Sequence, residues 1–217
     1  MTRSTRLLTH ADVARVSDMR LAMRVVADAF RAQARGEATM PPKVYLPLSD
    51  GSDFRAMPAA LRRPPVCGVK WVNVHPRNRI KGLPTVMATI IINDATTGFP
   101  LAVLDGSLVT RLRTGAAAGV AARVLARGAS TTVGLIGCGA QALWQVAALL
   151  PSFPVRRVRV WGLRPGEAKR FCETARRRLR VRWEPVRTVR ACVEGADIIV
   201  TVTPARGPLV RWAWVKR

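Results

Sequence analysis

At 217 residues the chain can hold one large domain or two small ones. Hydrophobic residues make up 49% of it, ample for a packed core, which excludes wholesale disorder. The 36 basic and 13 acidic residues give a net charge of +23, so anionic ligands and surfaces are the partners to weigh. No apolar run is long enough to cross a membrane; the longest, over residues 86–92, is strand-sized. Residues 1–10 include basic side chains but no apolar stretch of the kind a secretory signal needs. The expectation is a cytoplasmic protein with no membrane contact. Cys67, Cys138, Cys172 and Cys192 are widely spaced, and His10 and His75 are the histidines. That set offers no metal-site spacing, and each cysteine reads as a small buried hydrophobe.

In chain order, residues 7–36 read as an amphipathic helical region. Met19, Ala22, Met23, Val26 and Phe30 recur at three and four residues, and Gly36 is a stop. Residues 40–48 are extended, and 66–74 form a strand. Residues 75–82 are a polar, basic loop. Strands at 86–92 and 99–104, joined by a turn at 93–98, predict a hairpin. A small-residue helix follows over 114–126 and ends by Gly128. This first half is α+β. The second half alternates strand and helix, and the boundary falls near residues 113–128 without a flexible linker.

The most informative stretch is 131–142. Residues 133–136 have the length and β-branching of a buried strand. Gly137 and Gly139 break it, and a helix-forming segment runs over 140–150. A tight turn at Gly137, close approach of a pyrophosphate at Gly139 and a small residue at Ala142 are what a dinucleotide-binding strand–turn–helix requires. The anion would meet backbone N–H groups at the helix N-terminus, around Ala140 and Gln141. The plain alternative is a glycine turn between any strand and helix. A second strand-like run at 155–161 completes a βαβ unit and favours the dinucleotide reading.

Residues 155–190 hold thirteen basic and three acidic residues. They read either as a nucleic-acid patch or as the solvated face of a helix. Ala168, Phe171, Cys172, Ala175 and Leu179 recur at helical spacing, while Arg170, Arg176, Arg177 and Arg180 lie off that stripe. The solvated face is favoured, because no nucleic-acid motif accompanies the arginines. Lys43, Lys70 and Arg113 sit among apolar or small residues and are candidates for an anionic substrate. Lys70 lies inside an apparent strand, where a buried lysine needs a partner or a ligand. Arg113 starts the small-residue helix. The alternative for each is a surface cation with a buried stem.

Several motifs occur in order. They are Gly68-Val69-Lys70-Trp71-Val72-Asn73, Gly82-Leu83-Pro84-Thr85-Val86, Thr97-Gly98-Phe99-Pro100-Leu101-Ala102, Asp105-Gly106, Arg113-Thr114-Gly115-Ala116 and Gly137-Cys138-Gly139-Ala140-Gln141-Ala142. Together they resemble the ornithine cyclodeaminase/mu-crystallin family, which includes archaeal-type alanine dehydrogenases and pyrroline-2-carboxylate reductases. The resemblance implies an α/β protein. An N-terminal α+β substrate-binding and dimerisation domain over residues 1–113 would precede an incomplete Rossmann NAD(P)-binding domain over 114–217. It implies hydride exchange between a nicotinamide and an amino-acid α-carbon, with a small amino-acid or cyclic imine carboxylate as substrate and a homodimer as the assembly. By the same resemblance Lys70 and Arg113 hold the substrate carboxylate, and Lys70 is catalytic. Lys43 takes a position often occupied by arginine. Thr85 lies near the nicotinamide, and Thr201 and Thr203 line the cofactor.

Two departures stand out. No acid follows Trp161 directly, where a ribose-binding Asp or Glu is expected, and Arg164 is placed to meet a 2′-phosphate. Related sequences place an arginine one residue earlier, where this chain has Leu163. NADP is therefore favoured over NAD, with Arg164 as a plain surface residue the alternative. The chain also offers four strands, at 133–136, 155–161, 181–183 and 198–202, of the about six in such a sheet. Similar proteins carry a catalytic aspartate beyond this point. The expectation is a truncated, inactive form with an exposed apolar edge at 198–202. The other readings are a non-catalytic NADP-dependent binding protein like mu-crystallin, or a basic nucleic-acid-binding remnant.

Overall fold

The computed structural model describes residues 4–216, which divide into two compact units between Leu112 and Arg113. The first unit is built on a seven-stranded sheet. Its elements are β1 (Arg6–Leu8), α1 (His10–Val16), α2 (Met19–Ala34), β2 (Ala38–Thr39), β3 (Val44–Pro47), β4 (Asp53–Leu61), β5 (Val66–Val74), β6 (Val86–Asp94) and β7 (Pro100–Asp105). The strand order is β1-β7-β6-β5-β4-β2, with β3 also on β4, and every pairing but β1–β7 is antiparallel.

Two local expectations are corrected here. The region read as one helical stretch from residue 7 is β1 followed by two helices. Thr9 and Asp12 form a reciprocal capping box for α1, and the Asp18 carboxylate accepts from Leu21 N at 2.7 Å to start α2. β1 exists because Arg6, Leu7 and Leu8 pair in parallel with Ala102, Val103 and Leu104, a contact no local pattern announces. β4 has weak strand propensity and contains Pro58. Its outer edge pairs with β3 only at Asp53–Ala56 and with β2 only at Ala60–Leu61, so Pro58 sits where no partner needs its missing N–H. The basic loop at 75–82 contains a 3-10 turn, Pro76–Lys81, closed by Gly82 at φ +68°.

Helix α3 (Ser107–Leu125) begins seven residues earlier than the small-residue pattern indicated, and its first six residues belong to the first unit. The Asp105 carboxylate accepts from Ser107 N at 3.0 Å and fixes that start. Arg113 is therefore inside a helix rather than at its beginning.

The second unit carries a four-stranded parallel sheet in the order β10-β9-β8-β11, with β8 (Thr132–Ile136), β9 (Arg157–Trp161), β10 (Arg182–Pro185) and β11 (Ile198–Thr201). The connecting helices are α4 (Ala142–Leu149), α5 (Glu167–Arg176) and α6 (Val189–Val193). Val133, Leu135 and Ile136 are fully buried, which is why β8 reads as an unbroken apolar run. Ala168, Cys172 and Ala175 bury the inner stripe of α5 beside Trp183, while Arg170, Arg176, Arg177 and Arg180 are exposed. β11 ends the strand order on the β8 side. This is a Rossmann-like α/β arrangement, with the chain crossing from one side of β8 to the other between β10 and β11.

Candidate cofactor and substrate sites

The glycine turn lies at the carboxyl end of β8. Gly137 adopts φ +107°, a backbone that side chains rarely tolerate. Its N–H donates to the Trp161 carbonyl at 2.8 Å, and Val202 N donates to the Ile136 carbonyl at 2.9 Å, so the turn is pinned to the ends of β9 and β11. A Cβ at Gly137 would meet Val202 O at 2.6 Å and Thr203 Cγ2 at 2.9 Å. Gly139 differs: a Cβ there would meet nothing within 4 Å. One glycine satisfies the fold, and the other leaves open approach to the backbone. Ala142 is fully buried, and Ala142 N donates to Gly139 O at 3.0 Å. The helix begins at Ala142 rather than Ala140, so Ala140 and Gln141 belong to the turn itself. An open turn leading into a helix N-terminus is a geometry that fits a pyrophosphate.

Thr201 ends β11 in register with Ile136, and Thr203 stands beside Gly137 with its Oγ1 accepting from Ala205 N at 3.2 Å. Arg164 is exposed on the loop after β9. Gly137, Gly139, Ala140, Gln141, Thr201 and Thr203 thus gather at the carboxyl ends of adjacent strands, with Arg164 beyond the next strand. Cys138 belongs to the same turn. Burial first, and then the negative charge of Glu167, pushes its thiol up to about 12.

One residue of this site escaped the sequence pattern. Glu167, the first residue of α5, turns its carboxylate back to accept from Arg164 N at 3.2 Å. It lies at the end of β9, although six positions separate it from Trp161. The expectation of no acid at this strand end is corrected accordingly. The available signal was an acid in the first turn of a helix following a glycine at position 162.

The first unit holds the other candidates. Lys70 is half-buried in β5, between Met57 on β4 and Ile90 on β6. It lines a cavity of about 440 Å³ with Phe30, Met40, Met57, Ile90 and Ile92. Among the described residues lining that cavity, Lys70 alone is charged. Lys43, one residue before β3, falls on the row of Met57 and Lys70 when the β3–β4 register is extended. It is exposed, with Nζ 5.7 Å from the centre of the Tyr45 ring. Thr85 precedes β6, and its carbonyl accepts from His75 N at 2.8 Å. Arg113, in the second unit, keeps more than a third of its surface exposed, while the protein packed around it lowers its pKa by desolvation. Among the described residues no cluster of His, Cys, Asp and Glu is able to hold a metal ion, and no helix is long and apolar enough to cross a membrane.

A parallel sheet whose strand order reverses beside an open glycine turn defines the class: an α/β protein of the Rossmann type. The chain belongs to the ornithine cyclodeaminase/mu-crystallin family, whose model matches residues 3–217. It is 46% identical over 215 residues to an alanine dehydrogenase of Archaeoglobus fulgidus, covering 98% of this chain and 64% of that protein. The fold is similar to that of Thermococcus litoralis Delta(1)-pyrroline-2-carboxylate reductase in complex with NADH and L-proline. The TM-score is 0.92 at 34% identity, covering 97% of this chain and 66% of that one. It is also similar to an archaeal alanine dehydrogenase dimer with bound NAD, with a TM-score of 0.89 at 45% identity, covering 97% and 64%. The chain thus spans about two thirds of the length of these relatives.

Proposed function

We propose that this chain binds the substrate and the cofactor of an NAD(P)-dependent amino-acid or imine oxidoreductase or cyclodeaminase. The observation that carries the reading is the open backbone at Gly139 beside the pinned turn at Gly137. In this reading the 114–217 segment binds the dinucleotide and the 1–113 segment binds substrate and forms the dimer. Turn residues Gly137, Gly139, Ala140 and Gln141 hold the pyrophosphate, Thr201 and Thr203 line the cofactor, and Thr85 is the candidate nicotinamide contact of the 1–113 segment. The bound nicotinamide supplies hydride exchange at an amino-acid α-carbon.

The chain's own residues bind and orient the other reactant. Lys70 neutralises the substrate carboxylate, with Lys43 as an accessory cation, and Arg113 is the second candidate cation. An arginine fork fixes a carboxylate in two directions, where lysine acts as a point charge. Lys70 Nζ also serves as the proton-holding group beside the reacting carbon. The apolar wall of Met57, Ile90 and Ile92 next to Lys70 suits a short apolar side chain or a cyclic imine ring.

A homodimer fits the outer face of the first sheet. Leu7, Val44, Leu46, Trp71 and Ile91 share that face by register, and all are exposed. A contiguous apolar face of this kind is what a self-complementary interface covers.

The test is calorimetric titration with NADH, then with L-proline, L-alanine and pyrroline-2-carboxylate, on wild type and Lys70→Met. NADH binding with carboxylate binding lost in Lys70→Met is expected. Carboxylate binding unaffected by Lys70→Met would remove Lys70 from the site.

A further inference from the structure

A nucleotide-binding sheet of this kind selects its cofactor at the end of the second strand. An acid there accepts the adenosine ribose 2′-hydroxyl, and a cation there accommodates a 2′-phosphate. In this chain Trp161 ends that strand and Gly162 follows, with no side chain of its own. The space is nevertheless filled. From the position a Cβ of Gly162 would take, Glu167 Oε2 is 3.0 Å away, Glu167 Cβ 3.1 Å and Cys138 Sγ 3.0 Å. The same Oε2 is the atom that accepts from Arg164 N, so the carboxylate is tied to the loop backbone. Its charge is felt in the glycine turn, where it helps raise the Cys138 thiol. Glycine at 162 thus makes room for a carboxylate delivered from the first turn of α5.

We propose that Glu167 selects the cofactor: its carboxylate accepts the ribose 2′-hydroxyl and repels a 2′-phosphate, so the chain prefers NAD(H) to NADP(H). This rests on the dinucleotide reading of the glycine turn and reverses the cofactor preference drawn from Arg164. Two cations flank the acid. Arg164 is exposed next to it, and Arg170 Nη1 lies 2.9 Å from where a Cβ of Gly166 would be. With Glu167 neutralised, these two arginines remain to meet a 2′-phosphate.

The experiment measures NADH and NADPH affinities of the 217-residue chain by ligand fluorescence, with no turnover needed. Wild type should bind NADH more tightly. Glu167→Gln should shift the NADH-to-NADPH affinity ratio by about tenfold or more toward NADPH, the range of one charged hydrogen bond. Glu167→Asp keeps a carboxylate at the helix start and should shift the ratio less; it also serves if Glu167→Gln fails to fold by circular dichroism. Arg164→Ala added to Glu167→Gln should lower NADPH affinity and leave NADH affinity unchanged. A wild-type preference for NADPH, or a ratio unmoved by Glu167→Gln, overturns this inference while leaving the glycine-turn reading intact. Failure of wild type to bind either dinucleotide overturns both.

Discussion

Asp197 anchors the sheet of the second unit, and its removal has a calculable, pH-dependent cost. Its carboxylate accepts from Thr131 N at 3.0 Å, from Thr132 N at 3.1 Å and from Lys216 Nζ at 3.0 Å. The Thr131 backbone bond, followed by Lys216 and Thr132, overcomes partial burial and lowers its pKa from 3.8 to about 2. A carboxylate with a lowered folded-state pKa stabilises the fold above its unfolded pKa. That stability is lost as pH falls through the folded value. The difference corresponds to about 2 kcal/mol at pH 7, and roughly half of it remains at pH 3. Asp197→Asn preserves shape and removes the charge. The assay is urea unfolding at a series of pH values, followed by circular dichroism. The variant should be less stable by about 2 kcal/mol at neutral pH, with the gap closing toward pH 2. A gap of constant size from pH 7 to pH 3, or none at pH 7, would show that the Asp197 charge does not hold the sheet.

Other outcomes follow from the same geometry. Gly137→Ala should destabilise the second unit by about 1–3 kcal/mol, because φ is +107° and the new methyl meets Val202 O at 2.6 Å; thermal unfolding checks it. Burial raises Cys138 to about 12 and Cys172 and Cys192 to about 11, so their thiolates are scarce at pH 8. These three should react with a disulfide reagent only slowly until urea is added; rapid modification of all three in the folded protein would contradict their burial. Trp71→Glu places a charge on the exposed apolar sheet face and should convert a dimer to a monomer in sedimentation velocity.

The second unit was more legible in sequence than the first, for a physical reason. Parallel strands buried on both faces leave continuous apolar runs such as Val133 to Ile136, and glycines mark the turn between strand and helix. The first sheet depends on partners far away in sequence. β1 needs β7, and β4 tolerates Pro58 only because its outer edge is unpaired there. Lys70 was visible as a cation inside a strand, and the apolar cavity beside it was not, since Phe30 and Met40 come from other segments. Glu167 was hidden for a similar reason. Sequence spacing looks for an acid next to Trp161, whereas the loop folds back and delivers one from six residues further on.

Binding of a nicotinamide dinucleotide at the open turn of Gly139 is open to a direct measurement. Trp161 ends the strand beside that turn, so energy transfer from tryptophan to NADH reports occupancy directly. Titration of the wild-type chain should give saturable quenching of tryptophan with sensitised NADH emission. Gly139→Val should keep the wild-type circular dichroism, because a Cβ there touches no protein atom, and should abolish the transfer. Equal NADH affinity in wild type and Gly139→Val would contradict the account.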